Sequence, residues 1–152
     1  MLFRSRPYPG GGAIYELELY VNVRTCENIP PALYHYCPNE HRLEKISGPT
    51  EAVDRLIKDA GRSAELAGLP QILITIAARF QRLSWKYESM AYSALLKNVG
   101  VLYQTMYLVA TAMDLAPCAI GGGDSDLFAR AAALDYYAET SVGEFLLGSK
   151  RI

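Results

Sequence analysis

Charge of one sign, histidine, paired cysteine and long apolar runs are all scarce in this chain, and each scarcity excludes something. Across 152 residues the net charge is −1, so there is no electrostatic footprint for nucleic acid. Eleven tyrosines are many, yet no basic stripe interleaves with them, which argues against stacking on single strands. The three cysteines, Cys26, Cys37 and Cys118, are odd in number and have no metal-ligand spacing; reduced thiols in a cytoplasmic protein are the expectation. His35 and His41 flank a predicted hairpin turn without a second pair of ligands nearby, so a zinc site is set aside and no metal is expected. The longest charge-free stretch, Asn98 to Met113, falls short of the ~20 apolar residues that span a bilayer. No secretory signal, internal repeat, low-complexity tract or linker is visible. The pattern G-x-x-x-x-G-K-[ST] is absent as well, which excludes a phosphate loop of that type.

What is there is enough apolar material for one globular domain, expected over residues 1–152. Leu17, Leu19, Val21 and Val23 alternate, predicting a half-buried strand over Tyr15 to Arg24, and short strands over Ala32 to Tyr36 and His41 to Ile46 complete a meander. Pro49 suits a helical first turn, with Val53, Leu56 and Ile57 as the apolar stripe. Gln71 to Phe80 reads as a strand buried on both faces. Two helices are predicted next, Leu83 to Leu96 and Val99 to Leu115. The second is apolar all round and belongs in the middle of a core or at a subunit interface. A short strand from Ala116, a helix from Asp126 to about Ala133 capped by Asp124 or Ser125, and a strand over Gly143 to Leu147 close the chain. The order is α+β; it does not alternate as a Rossmann domain does.

Three segments stand out: Arg6-Pro7-Tyr8-Pro9-Gly10-Gly11-Gly12-Ala13-Ile14-Tyr15, Trp85-Lys86-Tyr87-Glu88, and Ala119-Ile120-Gly121-Gly122-Gly123-Asp124. Glycine runs let backbone approach a flat or anionic ligand closely, but taken alone each is as readily a flexible turn. Lys86 and Tyr87, adjacent on a helix, diverge by about one hundred degrees. Tyr87 shares a face with Ala91, Ala94 and Leu95. By composition the pair reads as a core aromatic and a solvated lysine.

Taken in order, the three segments resemble the azoline-oxidase branch of the flavin-dependent nitroreductase superfamily, the SagB/McbC-type dehydrogenases. The resemblance runs from Arg6 to Arg151. It implies an α+β nitroreductase-like fold, with an antiparallel-rich sheet packed on a central apolar helix, and FMN as cofactor. It further implies that Pro9, Gly10, Gly11 and Gly12 wrap the isoalloxazine, that Gly121, Gly122 and Gly123 lie against the flavin with the amides of Gly121 and Gly122 at its N5 and O4 edge, and that Arg6, Lys150 and Arg151 lie on the flavin side, the last two near its phosphate. Lys86 and Tyr87 would be the proton-handling pair, with Lys86 neutral as a base and Glu88 a competing partner for it.

Two positions depart from the family pattern. Gly10 replaces a usual serine, and Glu16 a usual proline, which predicts a looser entry into the first strand. The chain starts after the family's arginine-rich N-terminal helices, so it is expected to be an N-terminally truncated copy or the C-terminal part of a larger oxidoreductase. The implied function is oxidation of thiazoline or oxazoline rings in a modified peptide, beside a cyclodehydratase, by a homodimer with shared flavin sites and without nucleic acid or membrane. A generic nicotinamide-dependent nitro or quinone reductase, and a flavin-less interaction domain, are the alternatives.

Overall fold

The computed structural model describes residues 6–150. Six strands form one sheet in the order β3-β2-β1-β4-β6-β5, with every neighbouring pair antiparallel. The strands are β1 (Leu17–Val23), β2 (Ala32–Cys37), β3 (Arg42–Ser47), β4 (Ile72–Ala78), β5 (Leu115–Ile120) and β6 (Thr140–Ser149). Helices α1 (Glu51–Ser63) and α4 (Ser125–Ala131) cover one face; α2 (Phe80–Tyr87) and α3 (Ala91–Ala112) cover the other. Alternation along β4 decides which side chain goes where. Leu73 and Ala77 join the α1–α4 core, while Ile76 and Ala78 join the α2–α3 core. The expected strand buried on both faces is therefore the middle of a three-layer structure.

Local chemistry explains α1. The Thr50 hydroxyl accepts from the Val53 amide at 3.3 Å, Glu51 and Asp54 lie in the first turn, and Arg62 lies in the last. Pro49 stands immediately before this cap, beside the first turn as expected. Asp124 caps α4 in the same way, accepting from the Leu127 amide at 2.8 Å.

Two corrections concern the α2–α3 segment. The break between the helices falls at Glu88, whose φ of 46° takes the chain out of the helical region, and not between Leu96 and Val99. After a 3-10 turn over Glu88–Met90, α3 runs unbroken through Gly100. A mid-helix glycine costs about 1 kcal/mol, and packing of Leu95, Val99 and Leu102 against the sheet outweighs it. The second correction is burial. Leu95, Val99, Leu102 and Ala110 are buried, but Tyr92, Leu96, Leu108, Val109 and Met113 are exposed. The helix is thus a cover for one face and not the centre of the core.

Polar contacts fix the end of the sheet from which α2 departs. Tyr20 donates its hydroxyl proton to Glu139 Oε1 at 2.8 Å, and Arg79 Nε donates to Glu139 Oε2 at 2.7 Å. Arg79 also pairs with Glu18 at 3.5 Å. These bonds tie the residue before α2 to β1 and to the approach to β6, setting where α2 starts and hence where Lys86 and Tyr87 end up.

Candidate functional site

The first glycine run makes one 3-10 turn, Gly11–Ala13, in which Gly12 has φ 60°. Ala13 and Tyr15 also lie at positive φ, so backbone strain is concentrated here. Asn98 holds the turn in place. Its Oδ1 accepts from the Gly11 amide at 3.0 Å, and its Nδ2 donates to Glu16 Oε1 at 2.6 Å. Glu16 is 1 % exposed, and its carbonyl accepts from the Arg79 amide at 2.9 Å. The looser strand entry expected from Glu16 is therefore corrected: a buried, doubly bonded residue makes the entry tight.

Against this turn sits the lysine–tyrosine pair. A Cβ added at Gly12 would lie 2.6 Å from Lys86 Nζ and 2.9 Å from the Tyr87 hydroxyl; one at Gly11 would lie 3.5 Å from that hydroxyl. A side chain at Gly12 would be strained at φ 60° and would have to displace the end of Lys86. Lys86 Nζ stands 5.7 Å from the centre of the Tyr87 ring, within cation–π range. Tyr87 packs its body on the cluster containing Ala91 and Leu95, across the break at Glu88 and not along one helix face as expected, while Lys86 is exposed. The pair lies at the C-terminal end of short α2, not near the start of a long helix. Among the described residues no ion pair joins Lys86 to Glu88, which turns away through its positive φ.

The other predicted positions are distributed elsewhere. Arg6 donates from Nη1 to the Tyr8 hydroxyl at 2.9 Å and the Leu17 carbonyl at 2.8 Å, with its guanidinium 5.0 Å from the Tyr15 ring centre. It rims an apolar cavity of about 410 Å³ between the sheet and α3, lined by Leu19, Leu102, Met106 and Phe145. Pro9 and Gly10 are on the outer side of the turn; a Cβ at Gly10 would meet open space.

The second glycine run belongs to the opposite layer. A Cβ at Gly122 would lie 3.9 Å from Ser63 Oγ of α1, one at Gly123 would run into the Glu144 carboxylate, and Gly121 faces open space. Gly122 and Gly123 line a cavity of about 270 Å³ with Asp59, Phe128 and Glu144. Burial pushes the Glu144 carboxyl above the usual carboxylate range, with a Ser141 hydrogen bond opposing it. Lys150 forms an ion pair with Asp114, just beyond the C-terminal end of α3, a helix about 33 Å long at about 1.5 Å per residue. Arg151 lies outside the described residues. One chain thus brings Gly11, Gly12, Lys86 and Tyr87 together and leaves Gly121 to Gly123 and Lys150 apart from them.

Three residues of these sites carry no sequence motif. Asn98 does have a signal, as an amide on an apolar helix beside Val99. Glu16, just before β1, is marked only by replacing a usual proline, and Glu144 has no signal beyond being an acid in an apolar strand.

Residues 5–148 match the nitroreductase family. Escherichia coli McbC, the microcin B17-processing protein, is 31% identical over 116 residues, covering 72% of this chain and 42% of McbC. A candidate nitroreductase of Methanocaldococcus jannaschii is 31% identical over 120 residues, covering 74% of this chain and 56% of the relative. The chain spans about half the length of these curated relatives. Among solved structures, the E. coli microcin synthetase McbBCD complex with truncated pro-MccB17 bound contains a chain that superposes with a TM-score of 0.82 at 26% identity. That match covers 98% of this chain and 57% of the other.

The chain belongs to the nitroreductase family, and its antiparallel sheet with a long covering helix is the nitroreductase-like fold. Within that superfamily, likeness to McbC in both sequence and structure supports membership of the SagB/McbC type.

Proposed function

We propose that this chain works as an FMN-dependent oxidoreductase that converts thiazoline or oxazoline rings of a modified peptide to thiazoles or oxazoles. The observation that carries the reading is the seating of Lys86 Nζ and the Tyr87 hydroxyl against Gly12, across 74 residues of sequence. A strained glycine turn with open space outside Gly10 fits a flat ring laid on backbone, with two proton-handling groups at its edge. Bound FMN would supply the hydride acceptor. Lys86 and Tyr87 would take the proton from the ring carbon and pass it to solvent, which the exposed lysine meets directly. Asn98 holds the turn in place while they do so.

Sharing the flavin between two copies of the chain reconciles the separation of the glycine runs across the sheet. The exposed apolar side of α3 is the surface proposed for that homodimer. The McbBCD structure holds a pro-peptide, which supports a peptide substrate and a cyclodehydratase partner for this chain. The separation of Lys150 and Gly121 to Gly123 from Lys86 favours a second reading, a flavin-less domain kept for assembly.

A visible spectrum of the purified chain with added FMN decides between the two readings. If FMN binds, Lys86→Ala and Tyr87→Phe should keep the flavin absorbance and lose about 10²–10⁴-fold in azoline turnover. Gly122→Val should expel flavin while the protein stays folded, because its Cβ has room beside Ser63. Unchanged turnover in both Lys86 and Tyr87 variants would leave a generic nitro or quinone reductase as the better description.

A further inference from the structure

At the outer edge of the sheet, the β2–β3 hairpin gathers donors that linear spacing leaves apart. His35 and Cys37 are two residues apart on β2 and so point to the same side, and the register sets Glu44 of β3 opposite His35. Cys37 Sγ lies 3.8 Å from His35 Nδ1 and 3.4 Å from Glu44 Oε2. All three ligand atoms fall within 4.8 Å of one another. A tetrahedral ion with bonds of about 2.0–2.3 Å keeps its ligands about 3.3–3.8 Å apart, so the two separations from Cys37 already match such a shell.

A second observation concerns how His35 is oriented. Its Nε2 lies 3.2 Å from Glu18 Oε2, and Glu18 is buried and anchored by Arg79 and Arg82 at 3.5 Å each. With Nε2–H donated to Glu18, the lone pair of Nδ1 faces Cys37. A carboxylate on the far nitrogen of a histidine is the arrangement that orients metal-binding imidazoles and raises their basicity. We propose that His35 Nδ1, Cys37 Sγ and the Glu44 carboxylate form a binding site for a divalent ion of the zinc class, clipping edge strand β3 to β2. Nitrogen, thiolate and carboxylate donors suit zinc and cobalt better than magnesium or calcium. On binding, the thiol proton leaves to solvent and the thiolate takes its place on the metal. Half-exposed Cys37 and exposed Glu44 leave the fourth position open to water.

The order Glu18–His35–Cys37 also resembles a base-activated thiol. The Glu44 carboxylate on the sulfur argues otherwise, since a second negative charge opposes a free thiolate, whereas a dication draws both together. Arg42, 3.8 Å from Glu44, is an exposed neighbour and a weak competitor.

The test is titration of the purified, metal-free chain with Co²⁺. The expected result is a thiolate-to-cobalt charge-transfer band that saturates at one equivalent and is displaced by Zn²⁺. Cys37→Ser should abolish it, while Cys26→Ser and Cys118→Ser leave it. Glu44→Gln, at an exposed position where folding is not at risk, should weaken Co²⁺ binding, and Glu18→Gln should weaken it about 10–100-fold. No saturable band, or a band that survives Cys37→Ser, overturns the site. Unchanged affinity in Glu44→Gln and Glu18→Gln, with circular dichroism unchanged, overturns it equally.

Discussion

The two faces of the sheet are finished differently. On the α1–α4 side, Leu56, Ile57, Leu73, Phe128 and Leu146 form a closed cluster, and α1 turns outward a charged surface with Asp59 held by Arg55 and Arg62. On the α2–α3 side the buried half is equally apolar, but the outer half of α3 is apolar too. Leu108 and Met113 are 63% and 64% exposed, and between Ala91 and Ala112 the helix has Lys97 as its single charge. One chain therefore carries both a helix completed for water and a helix that is not. Exposed apolar side chains at Tyr92, Leu96, Leu108, Val109 and Met113, with a single charge along the helix, are the pattern of a surface that something covers. The strained turn with Lys86 and Tyr87 lies on that same unfinished side, at the other end of α3.

The largest expected effect tests the finished face. Phe128 is 1% exposed and packs edge-on against Tyr20 at 5.1 Å between ring centres. Phe128→Ala should cost about 3–5 kcal/mol in denaturant unfolding. Leu108→Ala on the open side of α3 should stay within about 0.5 kcal/mol in the monomer. Equal losses at the two positions would mean that the faces do not differ.

A smaller effect in stability, though not in assembly, tests the unfinished one. Leu108→Glu combined with Val109→Glu should leave circular dichroism unchanged and convert a dimer to a monomer in sedimentation at micromolar concentration. A wild-type chain that is already a monodisperse monomer under those conditions would break the comparison, because nothing would then cover α3.

The same contrast runs through what could be read in the sequence. Strands β1 and β4 and helix α1 are legible because period two and period 3.6 are local properties, and Asp124 is one of the two caps expected for α4. The break at Glu88 is not legible. Gly100 is the better breaker by propensity, yet tertiary packing holds it in α3 and places a non-glycine residue at φ 46° instead. Site residues divide along the same line. Gly12 beside Lys86, Gly11 bonded to Asn98 over 87 residues, and Asn98 bonded to Glu16 over 82 are products of topology. Resemblance to a family named the glycines, Lys86 and Tyr87, and marked Glu16 only as a departure from pattern, whereas the bonds of Asn98 and the placing of Glu144 needed the fold to be seen.

The smallest effect concerns a partly buried carboxyl on the finished face. Glu144 stands on β6 opposite Thr75, faces the cavity at Gly123, and has its carboxyl raised by burial, with Ser141 only partly opposing. For an acid raised in the folded state, the fold favours the protonated form. The stability that Glu144 contributes is fully present below the ordinary carboxylate value of the unfolded chain, and is lost as pH rises through the folded value. At neutral pH the charged group is therefore a cost. Glu144→Gln keeps the shape and removes the charge, so it should stabilise the protein at pH 7, by about 0.5–1 kcal/mol in line with ordinary single substitutions. The gap should close as pH falls below the ordinary carboxylate range. Thermal unfolding of both proteins across that range checks the sign. A difference that does not change with pH would reduce Glu144 to a packing residue beside Gly123.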